Sequence, residues 1–536
     1  MPRLQPADIN NNTFDFIIVG VLEAGITTQE ELLEAQVPLL NSKMKNTHVD
    51  WKLQSVPQTN ASNRSIGVPL GKLLGGSSAF NACLYHRCSP SDYDAWNEKE
   101  WTYKILQPYF RKAETFHDDK HPVPEEIYGT SGPFHVMQAN YDTELGNSFR
   151  KACQKNGIPE YYDMTDMPCQ IGVTGLQAAI YDGRRISAGS SYLPPELQQE
   201  RANLFIGLGC KVHRIILNEA KVVTHVEYSA VDGEGRDSLY RAAVSREVIL
   251  TAGAILSPYL LLSSGIGPKS ELTKANVETI VDLPGVGKNL QNHWRVPLVH
   301  ETTKPEMSLH RDLFQREKET LAQALNEKTG TYTRLWPDAV AYMKIPDTPD
   351  NSSSADNTPQ IELFAGGLAL CRDLPRLKGS DCATLLMVYV APFSTGSITL
   401  SKEKELQIDL GLLKDDRDLE CLEKGLSLSL KIANESEYKD SCVKRWLIYP
   451  QNERDIRQFI LDNVETLHHY AGTCKMGPEK DKSTVVDNHL RVHGTRGLRV
   501  ADASFFPIVP AGQICFPIIA CAERAADLIL NDNKNC

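Results

Sequence analysis

Residues 14–25 read FDFIIVGVLEAG, and this run constrains the fold more tightly than any other stretch of the chain. Residues 14–20 form an apolar segment ending in glycine, which reads as a buried parallel strand, and residues 21–25 read as the end of a second. Nothing separates the two. Parallel neighbours need a crossover of about a dozen residues or more, usually a helix, so these segments cannot be adjacent strands of a nucleotide-binding βαβ unit. Either they form one strand or one of them is displaced. A G-x-G-x-x-G fingerprint would put glycine at Gly20, position 22 and Gly25. Leu22 occupies the middle site, where its side chain would block backbone approach to a pyrophosphate. Glu23 instead suits the acidic residue that ends the second strand and takes ribose hydroxyls, a position normally about 20 residues beyond the glycines. The piece between is missing.

A chain of 536 residues is long enough for two or more large domains or one composite one, and 41% hydrophobic with 23% charged residues is an ordinary globular balance. A net charge of −11 without a dense Lys/Arg cluster argues against nucleic acid or an anionic membrane as partner. Thirteen cysteines, an odd number with no CxxC pair, suit a reducing compartment and buried thiols. The polar start MPRLQPADINNN has neither signal nor transit character, so a cytoplasmic location is expected, with no transmembrane span and no metal site.

Glycine-punctuated blocks with apolar strands occupy roughly residues 14–90, 203–295 and 465 onward. Thr28-Gln29-Glu30-Glu31 forms a capping box that predicts a structural helix from Thr28, and residues 351–357, NSSSADN, read as a flexible polar loop. Residues 71–81, GKLLGGSSAFN, place a turn and two hydroxyls before an apolar-patterned segment, as expected of a helix N-terminus presenting N–H groups to an anion.

That block, followed by Tyr85-His86-Arg87 and by Asp92-Tyr93-Asp94-Ala95-Trp96, resembles the first signature of the glucose–methanol–choline (GMC) family of flavin oxidoreductases. Asp50-Trp51 and Pro57-Gln58 fit the same family, with Phe80 and Cys88 as mild departures. REVILTAGA at 246–254 and the small-residue run Ser257-Pro258 to Gly267 resemble the second signature, and DLPGVG at 282–287, with Asn289, Leu290 and His293, continues the match. HYAGTCKMG at 469–477, then Val486-Asp487, LRVADAS at 498–504 and ERAAD at 523–527 complete it in the family's order. Any one of these could be packing and turns, but their ordered sum runs over nearly the full chain.

The resemblance implies a mixed α/β fold: a discontinuous Rossmann-like FAD-binding domain from residues 14–110, 203–295 and 465–536, with its first βαβ unit truncated, and a substrate domain on an antiparallel sheet from 111–202 and 296–464. Within the latter, residues 391–398 read as a strand flanked by turns. The family oxidises an alcohol by giving the hydroxyl proton to a histidine and hydride to the flavin, which makes His469 the implied base; imidazole chemistry suits the role. The family's second catalytic position, usually His or Asn, is here Gln513, whose amide can hydrogen-bond substrate oxygen but cannot accept a proton. Implied FAD contacts are Glu23 at the ribose, the Val212 backbone at adenine, Ala252 and Gly253 along the adenosine portion, Ser78 and Asn81 near the pyrophosphate and flavin, and Asp502 and Ala503 at the ribityl end.

Two classes of function stay open on the sequence: an FAD-dependent enzyme acting on a small-molecule alcohol, with oxygen or an organic carrier as electron acceptor, or a flavin-free pseudoenzyme that keeps the scaffold for binding. A nicotinamide-dependent Rossmann enzyme is a weaker third, since the C-terminal histidine block has no role in it.

Overall fold

The structure, a computed structural model, describes residues 9–10, 12–231, 236–346, 358–371, 377 and 379–534. Two sheets organise it. In the first, strand Thr13–Val19 runs parallel to the C-terminal part of the long strand Asp237–Leu250, with Val19 opposite Leu250. The other edge of that long strand pairs antiparallel with Val223–Val231, which pairs with Lys211–Leu217, and parallel with Leu498–Val500. Segments nearly 500 residues apart in sequence thus close one sheet, as a discontinuous Rossmann-like half requires.

The question posed by residues 14–25 is resolved in favour of displacement. After Val19 the chain turns at Gly20 and Val21, whose N–H groups donate to Leu22 C=O at 3.3 Å and Ile18 C=O at 3.1 Å. Leu22–Glu23 then pairs parallel with Gly207–Leu208 and not with Thr13–Val19. The first strand is left at the edge of its sheet, and Ile18 is 38% exposed there.

The second sheet has seven strands, all antiparallel. Their order is Val443–Ile448, Trp294–Thr302, Cys382–Tyr389, Ile361–Gly366, Pro337–Met343 and Gly172–Thr174, with Glu465–Thr466 added beside Trp294. Every residue of the three strands Pro337–Met343, Ile361–Gly366 and Cys382–Tyr389 is buried. Helices Glu144–Lys155 and Asp416–Asn434 pack on this sheet; Gly425 of the latter sits against Ile361. Strands covered on both faces read as continuous apolar runs, without the alternation of a half-exposed sheet.

Three local expectations fail for identifiable reasons. The capping box at Thr28 forms, with Thr28 N–H donating to Glu31 Oε2 at 2.9 Å. The helix it announces breaks into a 3₁₀ turn Gln29–Glu31, a single turn Leu33–Gln36 and a 3₁₀ run Pro38–Met44. Pro38 has no N–H and pushes Val37 out of helical space, which ends the run. Residues 71–81 lead into a 3₁₀ turn Gly76–Ala79 and then strand Leu84–Tyr85, not a helix. Of residues 391–398 only the end is strand: Ser397–Leu400 forms a hairpin with Leu406–Asp409 outside the large sheet, and Pro392 offers no ladder donor before it. The loop expected at 351–357 lies outside the described residues. The described cysteines are all free and most are buried.

Candidate active site

Both halves of the fold open onto one cavity of about 970 Å³. Every residue singled out from the sequence lines it: Glu23, Ser78, Asn81, Val212, Ala252, Gly253, His469, Asp502, Ala503 and Gln513.

Strand Leu498–Val500 delivers Asp502 to the start of helix Gly253–Ser263. One Asp502 oxygen accepts from Gly253 N–H at 2.9 Å and from the Ser257 hydroxyl, and the other from Ser504 N–H at 2.8 Å. Burial raises the Asp502 pKa and these bonds oppose the rise, so the carboxylate is tied down as a helix cap. Glu23 accepts from Gly25 N–H at 2.7 Å, and burial pushes its carboxyl up to about 7. Ser78 and Asn81 spend their side chains on the loop itself. The Ser78 hydroxyl donates to Gly75 C=O and accepts from Ala188 N–H, while Asn81 Oδ1 accepts from Cys83 N–H and from Arg185.

The walls fit a dinucleotide except at one place. Gly76 and Gly253 have φ of +55° and +82°, and a Cβ built on either would project into open space. Glycine is the residue that adopts this backbone without strain and keeps the wall flat for a close ligand. Against that, the turn after Val19 consumes its own N–H groups, so the strand-to-helix anion cradle of a Rossmann unit is absent there.

At the other end, His469 follows strand Glu465–Thr466, which pairs with Trp294 and Arg295. Its backbone N–H donates to Asn292 Oδ1 at 2.9 Å. Its ring Nδ1 lies 2.9 Å from Nδ1 of His293. His293 is fully buried, and its Nε2 has no hydrogen-bond partner among the described residues. With Nδ1 committed, Nε2 is the nitrogen that His469 has left for the cavity. Burial pushes His469 down to about 4, with an interaction from Gln513 opposing. His293 lies well below its ordinary value through burial and then through His469. Both rings are therefore neutral at neutral pH.

Gln513 stands two residues ahead of helix Cys515–Asn533, and its Nε2 donates to Glu362 Oε2 at 3.2 Å. No sequence motif singles out Glu362, and His293 enters only as part of the pattern that follows DLPGVG. The available signal for Glu362 was a lone acid inside the apolar run QIELFAGG at 360–367. Much of the cavity wall near these groups is apolar, with Trp336, Phe364, Leu368, Leu386 and Leu467 among its residues, while Lys45, Arg295 and His468 line it too. No group of three or more His, Cys, Asp or Glu among the described residues is arranged to hold a metal ion.

The chain is similar in sequence and in fold to known oxidoreductases. Sequence profiles of the GMC oxidoreductase family match residues 14–295 and 392–522. An oxygen-dependent choline dehydrogenase of Brucella anthropi is 32% identical over 528 residues, covering 96% of this chain and 91% of its own. A formate oxidase of Aspergillus oryzae RIB40, whose structure concerns FAD modification, superposes with a TM-score of 0.88 at 27% identity over 98% of this chain and 99% of that one. A pyridoxine 4-oxidase from Mesorbium loti gives 0.81 at 27% identity over 96% and 98%. FAD is the cofactor of this site. The chain belongs to the GMC oxidoreductase family.

Proposed function

We propose that this oxidoreductase removes hydride from the hydroxyl-bearing carbon of a small, largely apolar alcohol, with His469 as base and Gln513 as the hydrogen-bonding partner of the reacting oxygen. The observation that carries the reading is the cavity-facing His469, held through Nδ1 by His293, opposite Gln513 and beside an apolar wall. FAD, when bound, supplies the hydride acceptor. The chain's own groups handle the proton. For His469 Nε2 to be basic, the ring's proton must sit on Nδ1 and be donated to His293 Nδ1, which fixes ring orientation and tautomer together. Burial disfavours the imidazolium, so the ring holds the substrate's proton only while negative charge develops on the neighbouring oxygen. Gln513 contributes an amide to that oxygen and no proton acceptor. The flavin-free scaffold that the sequence left open has no support in the family comparison.

The substrate's body follows from the wall. The carboxylates lining the cavity are engaged: Glu23 by Gly25, Asp502 by Gly253 and Ser257, Glu523 by Tyr192. Lys45 and Arg295 stand close to His468. Arg295 is itself paired with Glu465 at 2.8 Å, so a quaternary ammonium would find no free counter-charge on this wall, whereas an aromatic or aliphatic body would displace water from apolar surface. We assign residues 14–110, 203–295 and 465–536 to the FAD-binding half, and the remainder of 111–464 to the substrate half. Reoxidation by oxygen or an organic carrier completes the cycle, and unpaired cysteines favour a reducing, cytoplasmic setting.

The test is flavin reduction by the FAD-loaded chain under anaerobic conditions across alcohols graded in polarity and charge. Benzylic or medium-chain primary alcohols should bleach the flavin faster than choline or formate does. Choline or formate as the fastest reductant would overturn the substrate class.

A further inference from the structure

Glu362 is the acid that neither the sequence pattern nor the reaction above accounts for. It is the second residue of strand Ile361–Gly366, opposite Tyr342 on one side and Val388 on the other, and is 0% exposed. One carboxyl oxygen accepts from Gln513 Nε2 at 3.2 Å, and the other has no hydrogen-bond partner among the described residues. The groups around it are weak counter-charges at best. Tyr342 and Cys88 face it and are held neutral by their own burial. His86 stacks on Tyr342 with ring centroids 5.0 Å apart and is itself pushed down to about 4. His469 stands beyond Gln513. No guanidinium or ammonium is paired with the carboxyl among the described residues. An isolated buried carboxylate is costly, and the usual outcome is that the group keeps its proton.

We propose that Glu362 is a positioning residue for the alcohol oxidation proposed above: by engaging one end of the Gln513 amide, it dictates which end is offered to His469 and the reacting oxygen. When protonated, Glu362 donates its O–H to the Gln513 carbonyl, and the amide turns its N–H₂ toward the reacting oxygen. A donor there favours the negative charge that develops as His469 removes the proton. When ionised, Glu362 accepts from the N–H₂, as the bond to Nε2 depicts, and the carbonyl is turned toward the reacting oxygen, where it opposes that charge. Hydrogen bonding selects the orientation of the amide, so the proton on Glu362 decides it. Burial places that switch at about 8, with the Gln513 bond acting downward. The acceptor-facing amide therefore appears as pH rises past 8.

The experiment has a spectroscopic arm and a kinetic arm on the full-length chain. Infrared difference spectra between pH 6 and pH 10 should show a protonated carboxyl C=O band that titrates away near 8, is absent from E362Q, and shifts in frequency in Q513L. No such band in the wild type, or a band indifferent to Q513L, overturns the proposal. With FAD loaded, wild-type kcat should fall several-fold across the same range. E362Q, whose amide can donate to Gln513 at every pH, should fold, retain activity and lose that alkaline limb, while E362L should lose roughly tenfold or more in kcat with little change in KM. An E362Q profile with the wild-type alkaline limb also overturns it. FAD-loaded wild type that oxidises no alcohol defeats the functional reading instead, and the infrared arm still decides whether Glu362 sets the Gln513 amide.

Discussion

A histidine tied through one nitrogen to a second buried histidine is an acid-sensitive device as well as a base. His300, fully buried against the Tyr438 hydroxyl, is likewise pushed down to about 4, as is His469, and burial also holds His293 well below its ordinary value. Their ordinary value is near 6.5. Between about 4 and 6.5 the unfolded chain binds protons that the native chain refuses, so stability rises with pH across that window. It is fully present above 6.5 and lost as pH falls toward 4, at roughly 3 kcal/mol for one group shifted this far. Urea midpoints should drop steeply from pH 7 to pH 4.5; equal midpoints would show that the imidazoles are already charged in the fold. The same shift predicts that kcat/KM, which reports the free enzyme, holds down to about pH 5 and declines only toward 4. An acidic limb near 6.5 would contradict the buried site. His469 could be singled out as the proposed base because it heads the unbroken run HYAGTCKMG, and Gln513 because it replaces the family's usual His or Asn at a recognisable position. The contacts of His293 and Glu362 could not be read there, because each depends on a partner 176 or 151 positions away.

Elements were readable where one strand or helix answers to its own residues, and unreadable where neighbours decide. The apolar run at 14–19 forms the parallel strand it announces, against residues 243–250, but at the sheet edge and only partly buried where a buried strand was expected. The destination of Leu22–Glu23 depends on Gly207–Leu208, which no local pattern reveals. The direct turn from Val19 into Leu22 has a visible consequence. With the second strand displaced, Thr13–Val19 is an edge strand, and Ile18, Ile26 and Phe205 are exposed at 38%, 69% and 42%. Exposed apolar edges template association, and a lysine on an edge blunts it. Ile18→Lys should therefore reduce concentration-dependent light scattering while leaving the melting temperature within about a degree. Scattering unchanged by the substitution would mean that this edge is not what associates.

At the scale of the whole molecule, the cavity exists because distant segments converge: the first strand, the 250 region, the 469–513 stretch and the antiparallel sheet each supply a wall. Such convergence makes the ligand part of the stability. A cofactor that binds only the folded chain adds about 2.7 kcal/mol at a hundredfold excess over its Kd. Added FAD should raise the melting temperature by several degrees, and an unmoved transition would show that the chain does not bind it. No helix among the described residues is long and apolar enough to cross a membrane. The central claim is that His469 takes the proton in a cavity that still holds FAD, and anaerobic stopped-flow bleaching of the bound flavin by an apolar alcohol tests it most directly. Wild type should bleach within the dead time to seconds, and His469→Ala should keep its flavin colour but bleach roughly 10²-fold slower or more. A His469→Ala protein that retains FAD and bleaches at the wild-type rate would contradict the account.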